Sequence, residues 1–80
     1  MIKLKNIVIK NNIANSEIIP EDSKVSGNIE IDLSQNKIIN FVLPYNYEWC
    51  KKHLEYAKDY LMELYKSKEG IPKEKTIMWC

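Results

Sequence analysis

The stretch from Val25 to Ser34, VSGNIEIDLS, alternates apolar or small residues with polar ones without interruption. The residues expected on one face are Val25, Gly27, Ile29, Ile31 and Leu33. Strict alternation over this length predicts a β-strand with one buried face and one solvated face. We therefore expect a β-sheet to form the centre of the fold.

The residues that follow predict a hairpin partner for this strand. Residues 34–37, SQNK, supply a turn, and the segment from Ile38 to Leu43, in which only Asn40 is polar, returns as a fourth strand. The side chains expected on one side of that strand are Ile39, Phe41 and Leu43. Pro44 closes the hairpin because it has no backbone N–H to continue the ladder.

Two further strands are predicted before the hairpin. Residues 2–9 alternate at first, but the apolar positions change parity at Asn6, which predicts a β-bulge there or a strand covered on both faces. Residues 11–12 are both asparagine, which tolerates positive φ, so a turn is expected. Residues 13–19 form a less regular second strand that Pro20 ends or marks as an edge.

A long amphipathic helix is predicted from about residue 46 to residue 69. Asn46 is a suitable N-cap, and Gly70 is a natural C′ residue with Pro72 beyond it. The apolar stripe of the helix, spaced by three and four residues, consists of Cys50, Leu54, Ala57, Leu61 and Leu64. The residues expected opposite this stripe are Lys51, Lys52, Glu55, Lys58, Asp59 and Lys66.

The C-terminal tail, residues 71–80, ends in apolar residues and is expected to dock as a short fifth strand or against the helix. The charged run 73–75 is expected to be a solvated connector. The predicted fold is α+β, a single domain over residues 1–80. Its four-stranded antiparallel sheet lies within residues 2–43 and packs against one long helix, with a fifth C-terminal strand as an addition.

Composition limits the classes of function. The two cysteines do not form a disulfide framework, and no apolar run suggests a signal peptide or a membrane span, so a cytoplasmic protein is expected. All twelve basic residues are lysine, against eleven acidic residues. Because arginine is absent and the net charge is +1, sequence-specific nucleic-acid binding is not expected.

The chemically reactive residues predict neither catalysis nor a metal site. Cys50 and His53 are three residues apart on the helix, so a thiol enzyme is the least favoured hypothesis, because no oxyanion site accompanies them. Cys80 could add a third metal ligand, but C-x2-H is not a standard zinc spacing. We expect no cofactor and no metal.

Aromatic residues are concentrated in the second half of the chain. Seven of the eight lie after residue 44. Tyr and Trp are common in protein interfaces, although a helical row of them also widens a buried face. The residues of the candidate binding surface are Tyr45, Trp49, His53, Tyr56, Tyr60 and Trp79.

Three segments, LPY at 43–45, EWC at 48–50 and IPKEKTIMW at 71–79, resemble small uncharacterised proteins of low-G+C bacteria and of their phages or mobile elements. The resemblance covers mainly residues 43–80, and it implies a protein that binds a host factor such as a defence protein. We therefore expect a small non-enzymatic protein-binding module. The alternative is a homodimer that binds a small molecule or nucleotide in a shared pocket.

Overall fold

The structure, a computed structural model, describes residues 1–20, 23–45, 47, 51–67 and 70–78. It confirms the α+β class, because these residues form a five-stranded antiparallel sheet and one helix. The elements are β1 (Ile2–Lys10), β2 (Ile13–Pro20), β3 (Gly27–Asp32), β4 (Lys37–Val42), α1 (Lys51–Ser67) and β5 (Glu74–Ile77). The strand order is β4-β3-β2-β1-β5, so β4 and β5 are the two edge strands.

Asparagine residues in the left-handed conformation shape the strands. Asn11 and Asn12 have φ of 53° and 65°, which gives the two-residue turn that joins β1 to β2. Asn6 also has a positive φ, and the pairing of β1 with β2 shifts between Lys5 and Val8. The predicted turn and the predicted bulge near Asn6 are therefore both confirmed.

The hairpin of β3 and β4 differs from its prediction at two places. Val25 was grouped with the buried face of β3, but it precedes the strand and is 64% exposed. The alternating pattern in the sequence is therefore longer than the strand. In β4, Ile38 pairs with Ile31 and Asn40 pairs with Glu30, which leaves Ile39 as an extra residue in a bulge. Ile38 consequently packs against the core, whereas Ile39 is largely exposed.

The core lies between one face of the sheet and α1. Its sheet residues come from β1, β2 and β3, and the helix contributes the predicted stripe of Leu54, Ala57, Leu61 and Leu64. Cys50, the first predicted member of that stripe, lies outside the described residues, as do Asn46 and the positions 68–69 near the helix end. Burial of this stripe against the sheet removes apolar surface from water, which stabilises a fold as small as this one.

The chain after the helix differs from its prediction in two respects. Gly70 does not have a positive φ, so it does not form the left-handed C′ cap expected of it. The fifth strand is confirmed, but it begins at Glu74, within the run that was expected to be a connector. Glu74 forms ion pairs with Lys3 and Lys5, both at 3.8 Å, because the register places these side chains together on the outer face.

A polar cluster on the outer face of the sheet holds the carboxylate of Glu17. The Asn6 side chain donates to Glu17, and the Ser26 hydroxyl donates to the other carboxylate oxygen at 3.0 Å. These hydrogen bonds, and to a smaller extent the charge of Lys5, lower the pKa of Glu17 from its ordinary value of 4.5. Asn6, the residue at the bulge, thus helps to lower the pKa of Glu17.

This shift predicts a pH effect on stability. Because the folded-state pKa is lowered, the stabilisation from Glu17 is present above the ordinary value of 4.5 and is lost as pH falls through the folded pKa. We expect the melting temperature of Glu17→Gln to fall less steeply below pH 4.5 than that of the unmodified protein. Thermal melts followed by circular dichroism would measure this, and identical pH profiles would contradict it.

Candidate protein-binding site

A groove of about 610 Å³ runs between α1 and the edge strand β5. Its helix side includes Tyr56, Asp59, Tyr60 and Glu63, and its strand side includes Lys75 and Ile77. Since β5 ends the strand order, the side of β5 away from β1 pairs with no strand in the described part of the chain. The groove therefore combines an edge strand with a wall of helix side chains.

Helical spacing explains the wall of the groove. Tyr56 and Tyr60 are four residues apart, and so are Asp59 and Glu63, so each pair lies along one side of the helix. Tyr60 is partly buried and packs against the core, whereas Tyr56 is 38% exposed. The wall thus presents an aromatic row beside an acidic row.

The sheet register explains the position of Lys75. Lys75 pairs with Leu4, whose side chain is fully buried on the helix-facing side of the sheet. Residues paired across antiparallel strands share a face, so Lys75 also points towards the helix. Its Nζ atom lies 5.5 Å from the centre of the Tyr60 ring, a cation–π distance. The groove therefore already accommodates an ammonium group against an aromatic face.

The charges of the groove are unequal. Asp59 and Glu63 contribute two carboxylates, and Lys75 is the one basic residue in its described lining. Glu74, the neighbour of Lys75, is on the opposite face of the sheet, where Lys3 and Lys5 pair with it. The groove consequently has a net negative charge that favours a basic or neutral ligand.

The structure divides the six residues predicted as a binding surface. Tyr56 and Tyr60 come together in the groove. His53 is 8% exposed and faces the core, because it lies one turn before Ala57 on the buried side of α1. Tyr45 follows β4 at the other edge of the sheet and is 83% exposed. Trp49 and Trp79 lie outside the described residues.

Sequence reasoning missed several residues of the groove. Asp59 and Lys75 are exposed, as expected for the solvated side of the helix and for the charged run, but neither was expected to line a groove. The four-residue spacing of Asp59 and Glu63 beside the tyrosine row was a usable signal. The position of Lys75 had no local signal, because it depends on the pairing of β5 with β1 at the other end of the chain.

The thiol and metal hypotheses depend on residues that the structure does not describe. Cys50 and Cys80 both lie among them. Within the described ranges, no group of three or more His, Cys, Asp or Glu side chains is arranged to hold a metal ion. Among those same residues, no helix is both long and apolar enough to cross a membrane.

Comparison of the chain with protein-family models, with curated proteins and with solved structures finds no match. The geometry and the charges of the groove are therefore the basis for assigning a function.

Proposed function

We propose that the protein is a non-enzymatic protein-binding module, and that its α1–β5 groove holds an extended, basic segment of a partner protein. The observation that carries this proposal is the meeting of an edge strand with two tyrosines and two carboxylates along one groove. Each component supports a different part of the recognition.

The edge strand supports binding of an extended segment. A peptide that adds to a sheet edge gains main-chain hydrogen bonds, and its alternate side chains enter the adjoining groove. β5 has four residues, Glu74–Ile77, so it could pair with a segment of about the same length. Such pairing is independent of the partner's sequence, and specificity must therefore come from the helix side of the groove.

The helix side supports selection of basic residues. A lysine or arginine of the bound segment could pair with Asp59 or Glu63 and pack on the Tyr56 ring, as Lys75 packs on Tyr60. Contacts of this kind are partly exposed, and each contributes about 1 kcal/mol or less. The groove therefore suits a weak, reversible interaction that weakens further with salt.

Binding of a small molecule is the alternative function, since a volume of about 610 Å³ is within the range of ligand pockets. The charges of the groove disfavour a nucleotide, because Asp59 and Glu63 would repel its phosphates and Lys75 alone would attract them. A basic peptide satisfies both carboxylates, which is why we favour a protein partner.

The proposed biological role is inhibition of a host protein. The resemblance of residues 43–80 implies a phage or mobile-element protein that inhibits a host defence protein, and a groove that captures an exposed basic segment would suit such an inhibitor. The sparse use of cysteine supports a reducing compartment, and we propose the cytoplasm as the site of action.

Titration with a synthetic decapeptide of alternating lysine and valine tests the proposal. We expect saturable changes in the backbone amide signals of residues 75–78, measured by nuclear magnetic resonance, and weaker binding at high salt. The double variant Asp59→Asn/Glu63→Gln should bind about tenfold more weakly, because two favourable charge contacts are lost.

Two controls make this experiment specific. Glu55→Gln removes a carboxylate from the same helix, but Glu55 pairs with Lys58 at 2.9 Å and does not line the groove, so binding should be unchanged. A decapeptide of alternating glutamate and valine reverses the charge. Equal binding of both peptides, or no saturable binding of either, would refute the proposed function.

A further inference from the structure

The other edge of the sheet carries exposed apolar side chains on both of its faces, since Phe41 pairs with the buried Ile29 and Val42 pairs with the exposed Asn28, and the groove does not use them. Ile39, Phe41 and Val42 of β4 are between 41% and 61% exposed, and Tyr45 beyond the strand is 83% exposed. We call these four residues the β4 edge patch. No strand of the described part of the chain pairs with the outer side of β4. Natural proteins usually protect such an edge with charges or cover it with another element.

The two edges of the sheet differ in their protection. β5 is short and carries charged residues at Glu74 and Lys75, which discourage pairing with an identical edge. In β4 the one charged residue is Lys37, at the start of the strand. The bulge at Ile39 bends the first half of β4, which contains Lys37. The other half, Asn40 to Val42, pairs regularly with β3 and presents a straight, uncharged outer edge.

The chemistry of this edge fits a second copy of the same chain. None of the four residues of the β4 edge patch is charged, so the patch has no charge that would select a foreign partner of opposite sign. In an antiparallel pairing of two β4 strands centred near Phe41, the two Lys37 side chains lie at opposite ends of the interface. Like charges are therefore kept apart, while the two Phe41 side chains, which lie on the same face of the sheet as Ile29, oppose each other across the two-fold axis.

The area available fits a weak pairing. The exposed fractions of the β4 edge patch correspond to roughly 500 Å² of surface per copy, backbone included. Complete burial of these four residues in both copies would remove about 1,000 Å² from water, which is the lower limit for a specific interface and typical of a weak, concentration-dependent dimer.

We infer that the β4 edge pairs with the β4 edge of a second copy, so that the dimer contains one continuous antiparallel sheet of ten strands. The α1–β5 groove lies at the opposite edge of each sheet and stays open in this arrangement. Each dimer would therefore present two grooves, and dimer formation does not depend on the proposed function of the groove.

Sedimentation equilibrium of the full chain tests this inference. We expect a mass of twice 9.5 kDa at about 100 μM and partial dissociation on dilution, as for an interface of this size. Val42→Lys should weaken dimerisation at least tenfold, because the pairing edge of each copy then carries an additional positive charge.

Val8→Lys is a matched control, because Val8 is 55% exposed and lies on β1, three positions away from β4 in the strand order. It should leave dimerisation unchanged. If Val42→Lys fails to fold, Tyr45→Ser supplies the test, since Tyr45 lies outside the core and its loss should also weaken the dimer. A protein that is still monomeric at about 500 μM would overturn the inference, because a specific dimer should have a Kd below this concentration. Equal effects of Val42→Lys and Val8→Lys would also overturn it.

Discussion

Substitution of Gly27 by alanine is expected to destabilise the fold by about 3 kcal/mol, because no space exists for a methyl group at this position. A Cβ atom built there would overlap the carbonyl oxygen of Val42 and lie 3.0 Å from the Cδ atom of Pro44. The first of these atoms belongs to the backbone of the neighbouring strand, so a rotamer change cannot relieve the clash. The hairpin of β3 and β4 would have to open at this end.

The measurement is a thermal melt, in which Gly27→Ala should lower the melting temperature by more than 10 °C for a chain of 80 residues. Gly70→Ala is the control, because nothing lies within 4 Å of its built Cβ atom and its φ is not positive. We expect no loss of stability there, and a small gain from reduced chain entropy. A loss at Gly70 similar to that at Gly27 would contradict the structural difference between the two glycines.

The regular parts of the fold were predictable because their signals are local. The alternation of apolar residues identified β3, and the three- and four-residue spacing from Leu54 to Leu64 identified the buried stripe of α1. The change of parity at Asn6 also revealed a bulge, since a strand with one buried face cannot change parity otherwise. Each of these inferences needed only a short window of sequence.

The second bulge was not predictable by the same means. Ile38 and Ile39 are both isoleucine, so residue type excludes neither from the buried position of β4, although alternation groups Ile39 with Phe41 and Leu43. The choice depends on how β4 pairs with β3, where Ile38 faces Ile31. As a result, Ile39 was expected inside and instead contributes to the β4 edge patch.

The helix side of the groove was only partly predictable, because a sequence pattern does not decide which aromatic residues are buried. The tyrosine row of α1 is visible in the sequence, but a row next to a buried stripe can be core or surface. In the structure Tyr56 is exposed, whereas Tyr60 packs against the core and has Lys75 of β5 over its ring. The order of the strands, which places β5 beside β1 rather than β4, cannot be obtained from local patterns.

Deletion of residues 76–80 is the second change with a large expected effect. Ile77 packs against the core and pairs with Ile2, whose side chain is fully buried, so removal of half of β5 exposes both the strand edge and part of the core. Loss of a partly buried isoleucine and its strand pairing should cost about 2–4 kcal/mol. The melting temperature should consequently fall by at least 10 °C in a domain of this size.

A shorter deletion, of residues 79–80 alone, is the control because it retains every residue of β5 from Glu74 to Ile77. If β5 stabilises the fold as an edge strand, the longer deletion should be much more damaging than the shorter one. A melting temperature that neither deletion changes would show that the tail contributes nothing to the folded core. Should the longer deletion leave a folded protein that still binds the lysine–valine peptide with full affinity, strand addition at β5 would be refuted, because the edge that receives the peptide would be gone.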